Sequence, residues 1–293
     1  MRGVWHVGLA VWQLAGAVQP LQPVFRSAVQ VVRLDVSVTR DRVPLQGLTG
    51  RDFVVLDNGV EQDVQSTLLE TQPLNVLLAL DTSGSVSGSR LRHLVSAGDS
   101  LLSSLGPSDR VGLLTFSHEL RLLAPLSADV TAVRASLGRT VAEGGTALRD
   151  AAQAAIGLAA VDRTRSLVIL FTDGADTASW TSEETAIEVA RRAGVVVHVL
   201  RVGKGPTESS KRYGERTSMF VGQVAQVTGG RVWTASSERD LKTLVAEAFS
   251  EMRSRYLLTY EPKDATPGWH ELKVRLRRGR ADIKARAGYL VGS

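Results

Sequence analysis

The chain has 293 residues, of which 43% are hydrophobic and 22% are charged, and it contains no cysteine. This composition excludes an intrinsically disordered chain, a disulfide-stapled miniprotein and every site that needs a thiolate. Basic residues outnumber acidic ones by 35 to 30, which is a weak hint of an anionic partner. At roughly 150 residues per domain, the length predicts about two domains, or one α/β domain with a substantial addition.

The N-terminal segment, residues 1–17, has the features of a secretory signal peptide. A basic start precedes an apolar stretch, and Ala15-Gly16-Ala17 offers the small residues of a cleavage site. His6 and Gln13 interrupt the apolar stretch, so a poorly ordered leader or a misassigned start is the alternative. No other segment reaches the ~18 uninterrupted apolar residues of a membrane-spanning helix. We therefore expect an exported protein without a transmembrane helix in its mature part.

Residues 28–70 predict a β-rich N-terminal segment. Apolar and polar residues alternate over residues 32–39, which is typical of a strand with one wet face. The apolar run that begins at Phe53 ends in Asp57-Asn58-Gly59, and Asn-Gly favours a two-residue hairpin turn. The residues after Gly59 are predicted to return as the partner strand.

Residues 73–253 alternate between buried strands and helices. Continuous apolar runs predict strands at residues 75–80, 111–116, 166–172 and 195–202. Helical periodicity predicts helices near residues 91–102, 148–158, 182–193, 220–227 and 238–253, with a polar loop at 203–218. This alternation predicts an α/β domain with a doubly wound, Rossmann-like and mostly parallel sheet that has helices on both faces.

Residues 255–290 predict a second β-rich segment. Strand patterns recur at residues 256–260, 271–277 and 281–288, around a turn at Gly279. Because isolated hairpins are marginal in water, we expect the two β-rich segments to pack together or against the central sheet.

The basic excess of the chain is concentrated in this C-terminal segment. Lys273, Arg275 and Arg277 alternate with apolar residues, which predicts the wet face of a strand of the kind that keeps sheet edges soluble. Binding of nucleic acid or lipid headgroups by this basic ribbon is the alternative. We expect no nucleic-acid partner.

Polar side chains follow the first buried strand of the central region. Asp81, Ser83 and Ser85 offer three oxygen groups at alternate positions, Thr146 precedes a helix, and Asp173 follows a later strand. Open α/β sheets bind ligands at the carboxyl ends of their strands, so we expect these residues to converge. Two carboxylates and three hydroxyls suit a small hard cation such as Mg²⁺, whereas softer metals prefer imidazole or thiolate.

This set of five residues resembles the complete metal-ion-dependent adhesion site of the von Willebrand factor type A domain family. The resemblance implies that Ser83, Ser85 and Thr146 contact the metal, while Asp81 and Asp173 act largely through water. It also implies that Mg²⁺ is the metal, with Mn²⁺ or Ca²⁺ as alternatives. An open coordination position would be filled by an Asp or Glu side chain of a protein ligand.

The segments that flank the central region carry a second resemblance. Residues 48–60 before the central region, and residues 256–260 with Ala287-Gly288-Tyr289 after it, resemble the von Willebrand factor A-related proteins of acidobacteria. That group has no established biochemical role, so this resemblance implies a fold and a site rather than a biological process.

Three hypotheses for the function follow. The leading one is a non-enzymatic, divalent-cation-dependent protein-binding module, with no catalytic residue and no organic cofactor. The second is a magnesium-dependent phosphotransferase or phosphatase that uses Asp81 as nucleophile, although such enzymes want a further carboxylate where Ser83 stands. The third is a structural envelope scaffold with a vestigial metal site. The oligomeric state stays open.

Three residues near the predicted site have two interpretations each. Asp176 either caps the loop before the next helix or adds charge to the site. His118 is either structural or close to the metal loops. Trp180 is either an anchor for a partner at the rim of the site or a hydrophobic plug over the adjacent helix.

Overall fold

The computed structural model describes residues 31–68, 72–162, 164–173, 176–202 and 211–292. The predicted signal peptide, residues 1–17, lies outside the described residues. The same holds for residues 203–210, which form the first part of the predicted polar loop.

The central domain is built on a six-stranded sheet. Its strands are β6 (Leu74–Asp81), β7 (Arg110–Phe116), β8 (Leu120–Ser127), β9 (Arg165–Thr172), β10 (Val195–Val202) and β11 (Val232–Ala235). Their spatial order is β11-β10-β9-β6-β7-β8, and all neighbours are parallel except β7 and β8. The predicted α/β class is confirmed, and the sheet is mixed because its edge strand β8 is antiparallel.

Helices cover both faces of this sheet, which is why its strands are apolar without alternation. One face packs against α1 (Ser89–Leu102), α2 (Val130–Leu137) and α6 (Glu238–Arg253). The other face packs against α3 (Leu148–Ala159), α4 (Glu183–Arg192) and α5 (Lys211–Thr228). None of the helices in the described ranges is long and apolar enough to cross a bilayer.

The central domain differs from the sequence prediction in three elements. Strand β8 was not predicted because its first four residues, including Leu120 and Leu122, are exposed and show no alternation. Helix α2 was also not predicted, and it begins after Asp129, whose carboxylate accepts the N–H groups of Thr131 and Ala132. The predicted loop is wrong for residues 211–218, which belong to α5; their lysine, arginine and glutamate residues are good helix formers.

Strands from both ends of the chain form two further sheets, which together we call the β unit. The strands are β1 (Val32–Arg40), β2 (Val43–Pro44), β3 (Phe53–Asp57), β4 (Val60–Gln62), β5 (Gln65–Leu68), β12 (Tyr256–Tyr260), β13 (Gly268–Leu276), β14 (Asp282–Lys284) and β15 (Gly288–Val291). One sheet has the order β14-β1-β12-β5, with β2 paired to β1, and the other has the order β15-β13-β3-β4. The two sheets bury a common hydrophobic core.

The β unit joins residues that are far apart in the sequence. Strands β1 and β12 are antiparallel, with Val32 opposite Tyr260. Strands β3 and β13 are also antiparallel, with Asp57 opposite Leu272. The β3–β4 hairpin turns at Asn58 (φ 46°) and Gly59 (φ 83°), and both residues have the positive φ that a type I′ turn requires. The hairpin prediction is therefore confirmed.

The basic ribbon lies on β13. Lys273, Arg275 and Arg277 are exposed, which confirms the predicted wet face. The ribbon pairs with β3 on one side, whereas β15 pairs with β13 only over residues 268–271, so no described strand pairs with the other side of the ribbon, as expected for a strand edge. The pairing with β3 was hidden because the two strands are far apart in the sequence.

The β unit buries a polar group that we call the Asp57 cluster, formed by Asp57, His270, Tyr260 and Tyr289. His270 Nδ1 lies 2.7 Å from Asp57 Oδ1, and the two tyrosine hydroxyls donate to Asp57 Oδ2 at 2.8 and 2.7 Å. His270 Nε2 lies 2.8 Å from the carbonyl oxygen of Thr266. Because both ring nitrogens face acceptors, both donate and the imidazole is positively charged.

A second buried histidine, His198 on β10, has the opposite environment. The backbone N–H of Arg231 donates to His198 Nδ1 at 3.1 Å, so this nitrogen is unprotonated and the ring is neutral. Its Nε2 lies 2.9 Å from Glu251 Oε2, and Arg255 donates to Glu251 Oε1 at 3.0 Å. Burial would raise the pKa of Glu251, but Arg255 and the hydrogen bond from His198 hold it well below its usual value.

Candidate metal centre

The predicted metal residues lie at the end of the central sheet that is formed by the carboxyl ends of its parallel strands. Asp81 is the last residue of β6, and the chain then makes a short 3-10 turn over residues 84–86. Val86 anchors this turn because its side chain is fully buried in the core below α1. The turn therefore presents Ser83 and Ser85 on one side, directly after the strand end.

Asp81 is fully buried and its two carboxylate oxygens are both hydrogen-bonded. Oδ1 accepts the backbone N–H of Ser83 at 2.9 Å, and Oδ2 accepts the hydroxyl of Thr172 at 2.8 Å. Burial raises the pKa of Asp81 to about 6; the hydrogen bonds from Ser83 and Thr172 oppose this shift, and the nearby carboxylate of Asp173 adds to it. Asp81 is thus a buried acid whose donors are neutral and whose charged neighbour is another acid.

A chain of hydrogen bonds connects the three other residues of this edge. Ser83 Oγ lies 3.0 Å from Ser85 Oγ, and Ser85 Oγ donates to Asp173 Oδ1 at 2.8 Å. The side chain of Asp173 is only 3% exposed. The structure therefore brings Asp81, Ser83, Ser85 and Asp173 together, and we call these four residues the Asp81 cluster.

Thr146 lies in a neighbouring loop that is tied to the same turn. The backbone N–H of Gly84 donates to the carbonyl oxygen of Gly144 at 2.9 Å, and the N–H of Glu143 donates to that of Thr82 at 2.7 Å. Thr146 itself is buried, at 4% exposure. The three predicted loops thus form one framework at the carboxyl end of the sheet.

Gly144 is required in this framework for two reasons. Its φ is +74°, and a Cβ atom there would lie 2.0 Å from His118 Nδ1. His118 therefore packs directly on the loop that carries Thr146. This contact places His118 beside the metal loops and gives it a structural role there.

The structure adds a residue that the sequence did not indicate. Arg90, in the first turn of α1, donates from Nη1 to Asp173 Oδ2 at 2.8 Å and to the carbonyl oxygen of Ser85 at 2.9 Å. Its side chain is 48% exposed. An arginine at the start of a helix looks like a solvent-exposed residue in the sequence, so no local signal could have identified this contact. Thr172, whose hydroxyl donates to Asp81, was also missed. Its position at the end of a strand, directly before Asp173, was the only feature of the sequence that could have placed it near the site.

The two remaining ambiguous residues have clear positions. Asp176 accepts the backbone N–H of Arg149 at 2.9 Å and that of Ser179 at 3.2 Å, so it holds its own loop against the start of α3. Trp180 is 97% exposed, so the interpretation as a hydrophobic plug is wrong. Its backbone N–H donates to Asp150 at 2.9 Å, which fixes the loop below the exposed ring.

The donor chemistry of this edge fits a hard divalent cation. All five predicted residues offer oxygen atoms, and two of them are acids buried side by side. Within the described ranges no three His, Asp or Glu residues form a group that could hold a metal, so a cation at this edge would depend on serine and threonine hydroxyls. Oxygen donors of this kind suit Mg²⁺ better than metals that prefer imidazole or thiolate.

Comparison with known proteins gives the fold a family. The sequence model of the von Willebrand factor type A domain matches residues 75–247. The human inter-alpha-trypsin inhibitor heavy chain H4 is 33% identical over 138 residues, which are 43% of this chain and 15% of the relative. The chain therefore spans a small part of that curated relative.

Two solved structures share the fold at low sequence identity. A von Willebrand factor type A protein from Catenulispora acidiphila has a TM-score of 0.52 and 14% identity, over 91% of this chain and 75% of that one. Proximal thread matrix protein 1 from the mussel byssus, with a zinc-occupied MIDAS motif, has a TM-score of 0.54 and 16% identity, over 68% and 50%. Since the family match covers more than half of the chain, the chain belongs to the von Willebrand factor type A domain family.

Proposed function

We propose that this chain is an exported, non-enzymatic and divalent-cation-dependent protein-binding module. The observation that carries the proposal is the hydrogen-bonded chain from Ser83 through Ser85 to Asp173, beside the buried carboxylate of Asp81. Domains of this family bind proteins, and the signal-like leader supports export. The predicted similarity to acidobacterial members of the family stays a prediction.

The metal would be held by Ser83, Ser85, Thr146, Asp81 and Asp173, the complete set that the sequence predicts. Mg²⁺ is the proposed cation, with Mn²⁺ and Ca²⁺ as alternatives, because all five residues supply oxygen. The zinc-occupied MIDAS motif of the mussel protein supports a divalent cation at this edge of the shared fold. When bound, the cation supplies a positive charge that attracts an acidic ligand.

The proposed partner is a protein that presents an Asp or Glu side chain. Gly84 and Ser85 are exposed at the surface of the turn, so a carboxylate can approach the cluster from solvent. Trp180 provides a nearby exposed aromatic surface on the loop beside α3, and tryptophan is enriched among the residues that dominate binding energy. A partner would therefore combine an acidic group with an apolar contact.

The environment of Asp81 argues against the phosphotransferase alternative. Both of its oxygens accept protein hydrogen bonds, and the side chain is fully buried. A nucleophilic carboxylate has to expose a lone pair to the phosphorus atom. The binding-module hypothesis needs only that the carboxylate lies behind the metal position.

Metal titration with a pair of matched serine variants tests the proposal. Ser85→Ala removes a hydroxyl of the Asp81 cluster, whereas Ser87→Ala removes an exposed hydroxyl two residues further along the same turn. We expect Ser85→Ala to weaken Mn²⁺ binding by about 10-fold or more and Ser87→Ala to leave it unchanged. Calorimetry, or electron paramagnetic resonance of free Mn²⁺, measures both affinities. Equal affinities for the two variants, or no Mn²⁺ binding by the unmodified chain, would contradict the proposal and favour a scaffold with a vestigial site.

A further inference from the structure

A recess lies between the central sheet and the β unit, at the end of the sheet opposite the Asp81 cluster. Its volume is about 740 Å³, which is in the range of small-molecule sites. Arg165 and Val195, the first residues of β9 and β10, line one wall, while Arg33 and Tyr289 of the β unit line another. We call this recess the junction cavity.

Positive charge dominates the lining of the junction cavity. Four arginines line it together with two aspartates: Arg33, Arg165, Arg192, Arg286, Asp35 and Asp162. Both aspartates already have partners, because Asp35 accepts from Arg165 at 2.9 Å and Asp162 accepts from Arg110 outside the cavity lining. Arg192 pairs with Glu188 on its own helix at 2.7 Å. Among the described residues, no carboxylate lies within ion-pair distance of Arg33 or Arg286.

The buried arginines of this region are also short of hydrogen-bond acceptors. In the described part of the chain, buried nitrogens without a partner are Arg165 Nη1, Arg255 Nε and Arg286 Nε. Arg165 and Arg286 line the cavity, and Arg255 lies beside it with Nη1 3.4 Å from the carbonyl oxygen of Asp35. Burial lowers the pKa of both Arg165 and Arg286, and the negative charge of Asp35 only partly opposes that shift.

We propose that the junction cavity is a binding site for a small oxyanion, a ligand with a phosphate or carboxylate group. Under-compensated buried charges create a positive potential in an adjacent cleft, and such a cleft concentrates anions. Guanidinium groups match the geometry of phosphate and carboxylate oxygens. The exposed Arg33 supplies donors at the mouth, and the buried Arg165 and Arg286 supply the potential behind them.

Because the site lies between two parts of the molecule, a ligand bound there affects how they pack together. Arg165 and Arg192 belong to the central domain, whereas Arg33 and Arg286 belong to the β unit. An anion between them adds contacts to both parts at once. Binding therefore stabilises the docking of the β unit on the central domain, independently of any metal at the opposite edge.

Inorganic phosphate and acetate are the two probes that test this site. The melting temperature and the heat of binding are measured with each anion against NaCl at matched ionic strength. We expect a saturable increase in melting temperature that exceeds the NaCl effect for at least one anion, and the two titrations distinguish a phosphate site from a carboxylate site. Melting temperatures that match those in NaCl for both anions would overturn the proposal.

Three arginine variants locate the binding. Arg33→Ala removes an exposed side chain at the cavity mouth, and Arg286→Met removes a buried charge while it keeps an apolar stem over Tyr289. We expect anion affinity to fall about fivefold for the first and about 10-fold or more for the second. Arg275→Ala, an exposed position on β13 outside the cavity, is the control and keeps the original affinity. Because Arg33→Ala leaves the core intact, unchanged affinity in that variant and in a folded Arg286→Met would place the anion elsewhere and refute the assignment.

Discussion

Two buried aspartates at different places in the molecule, Asp57 in the β unit and Asp81 in the central domain, show how the surroundings of one residue type decide its role. Asp57 accepts from a positively charged His270 and from two tyrosine hydroxyls. Asp81 accepts from Ser83 and from the Thr172 hydroxyl, which are neutral donors, and has the acid Asp173 nearby. The charge of Asp57 is balanced inside the protein, whereas no cationic side chain of the described residues is hydrogen-bonded to Asp81.

The energetic difference follows from the cost of burying charge. An ionised carboxylate loses several kcal/mol when it leaves water, and a hydrogen-bonded cation offsets that loss. His270 provides this offset for Asp57, so the Asp57 cluster is a closed structural unit. Asp81 itself has no such partner among the described residues, because the cation at its cluster, Arg90, is bound to Asp173, and burial raises the pKa of Asp81 to about 6. A buried acid without its own cation is a better guide to a binding site than burial alone.

The largest expected effect is on folding stability at Asp57. Asp57→Ala leaves the His270 imidazolium buried without its counter-charge, so we expect the free energy of unfolding to fall by about 3–5 kcal/mol. Urea denaturation measures the change. The control is Asp63→Ala, whose side chain is 93% exposed and pairs with Lys263 at 3.0 Å; we expect a change below about 0.5 kcal/mol there. A loss of less than ~1 kcal/mol for Asp57→Ala would show that the cluster is not a closed structural unit.

A substitution at Asp81 should change metal affinity strongly and folding stability little, which is the opposite of the effect expected at Asp57. Asp81→Asn removes a buried charge and keeps one acceptor oxygen, so we expect the unfolding free energy without metal to change by less than about 1 kcal/mol. Mn²⁺ affinity should fall by about 100-fold, which is ~2.7 kcal/mol. Urea denaturation and calorimetry are compared on the same protein sample. A large loss of stability with intact Mn²⁺ binding would reverse the roles assigned to the two aspartates.

Arg90 allows a test of the charge balance in which the expected effect is smaller and its direction is defined. It contacts Asp173 from the first turn of α1, where a cation is unfavourable for the helix dipole, so its position reflects Asp173 and not helix stability. Removing this charge should strengthen Mn²⁺ binding, and we expect Arg90→Ala to lower the dissociation constant about fivefold, ~1 kcal/mol.

Two further variants separate charge from positioning at Arg90. Arg90→Lys keeps the charge and should stay close to the unmodified chain. Arg92→Ala, two residues along the same helix and exposed, should have no effect. Weaker Mn²⁺ binding in Arg90→Ala would mean that Arg90 positions Asp173 for the metal instead of competing with it.

The smallest expected effect is a difference between the pKa values of the two buried histidines, which a titration measures. Burial lowers the pKa of His198, so its contribution to stability is present above the unfolded value of about 6.5 and is lost as the pH falls below it. Burial also disfavours charge on His270, but its bonds to Thr266 and Asp57 raise its pKa. Its contribution is therefore complete below about 6.5 and is lost as the pH rises through the folded pKa. NMR titration of the ring protons should give midpoints on opposite sides of 6.5, and a shared midpoint would contradict both assignments.

The central domain was predictable because its elements are local in sequence. The apolar runs of β6 and β9 and the periodicity of α3 are readable without knowledge of the fold. Strand β8 was not, because its pairing with β7 outweighs a sequence that shows no alternation. The pairing of β13 with β3 was also hidden, since the two strands lie far apart in the chain.

The same distinction applies to the polar sites. Asp81, Ser83 and Ser85 share one turn, and parallel strands predict that Asp173 ends at the same edge, so most of the Asp81 cluster was visible in the sequence. Nothing in the sequence connects His270 with Asp57, because they meet only through the pairing of β13 and β3. Arg90 was missed for a similar reason, since its partner Asp173 lies in another loop.

The pairing of Val32 with Tyr260 has a consequence for how the chain is made. During synthesis, β1 emerges long before β12, so the hydrogen-bonding groups of β1 that pair with β12 have no partner until β12 has been translated. The central domain, whose contacts are more local, can fold in the meantime and bring the two ends together. Completion of the β unit thus requires that translation has passed β15, and a chain cut short after Arg255 would leave β1 without β12 and β3 without β13, with exposed strand edges that are prone to aggregate.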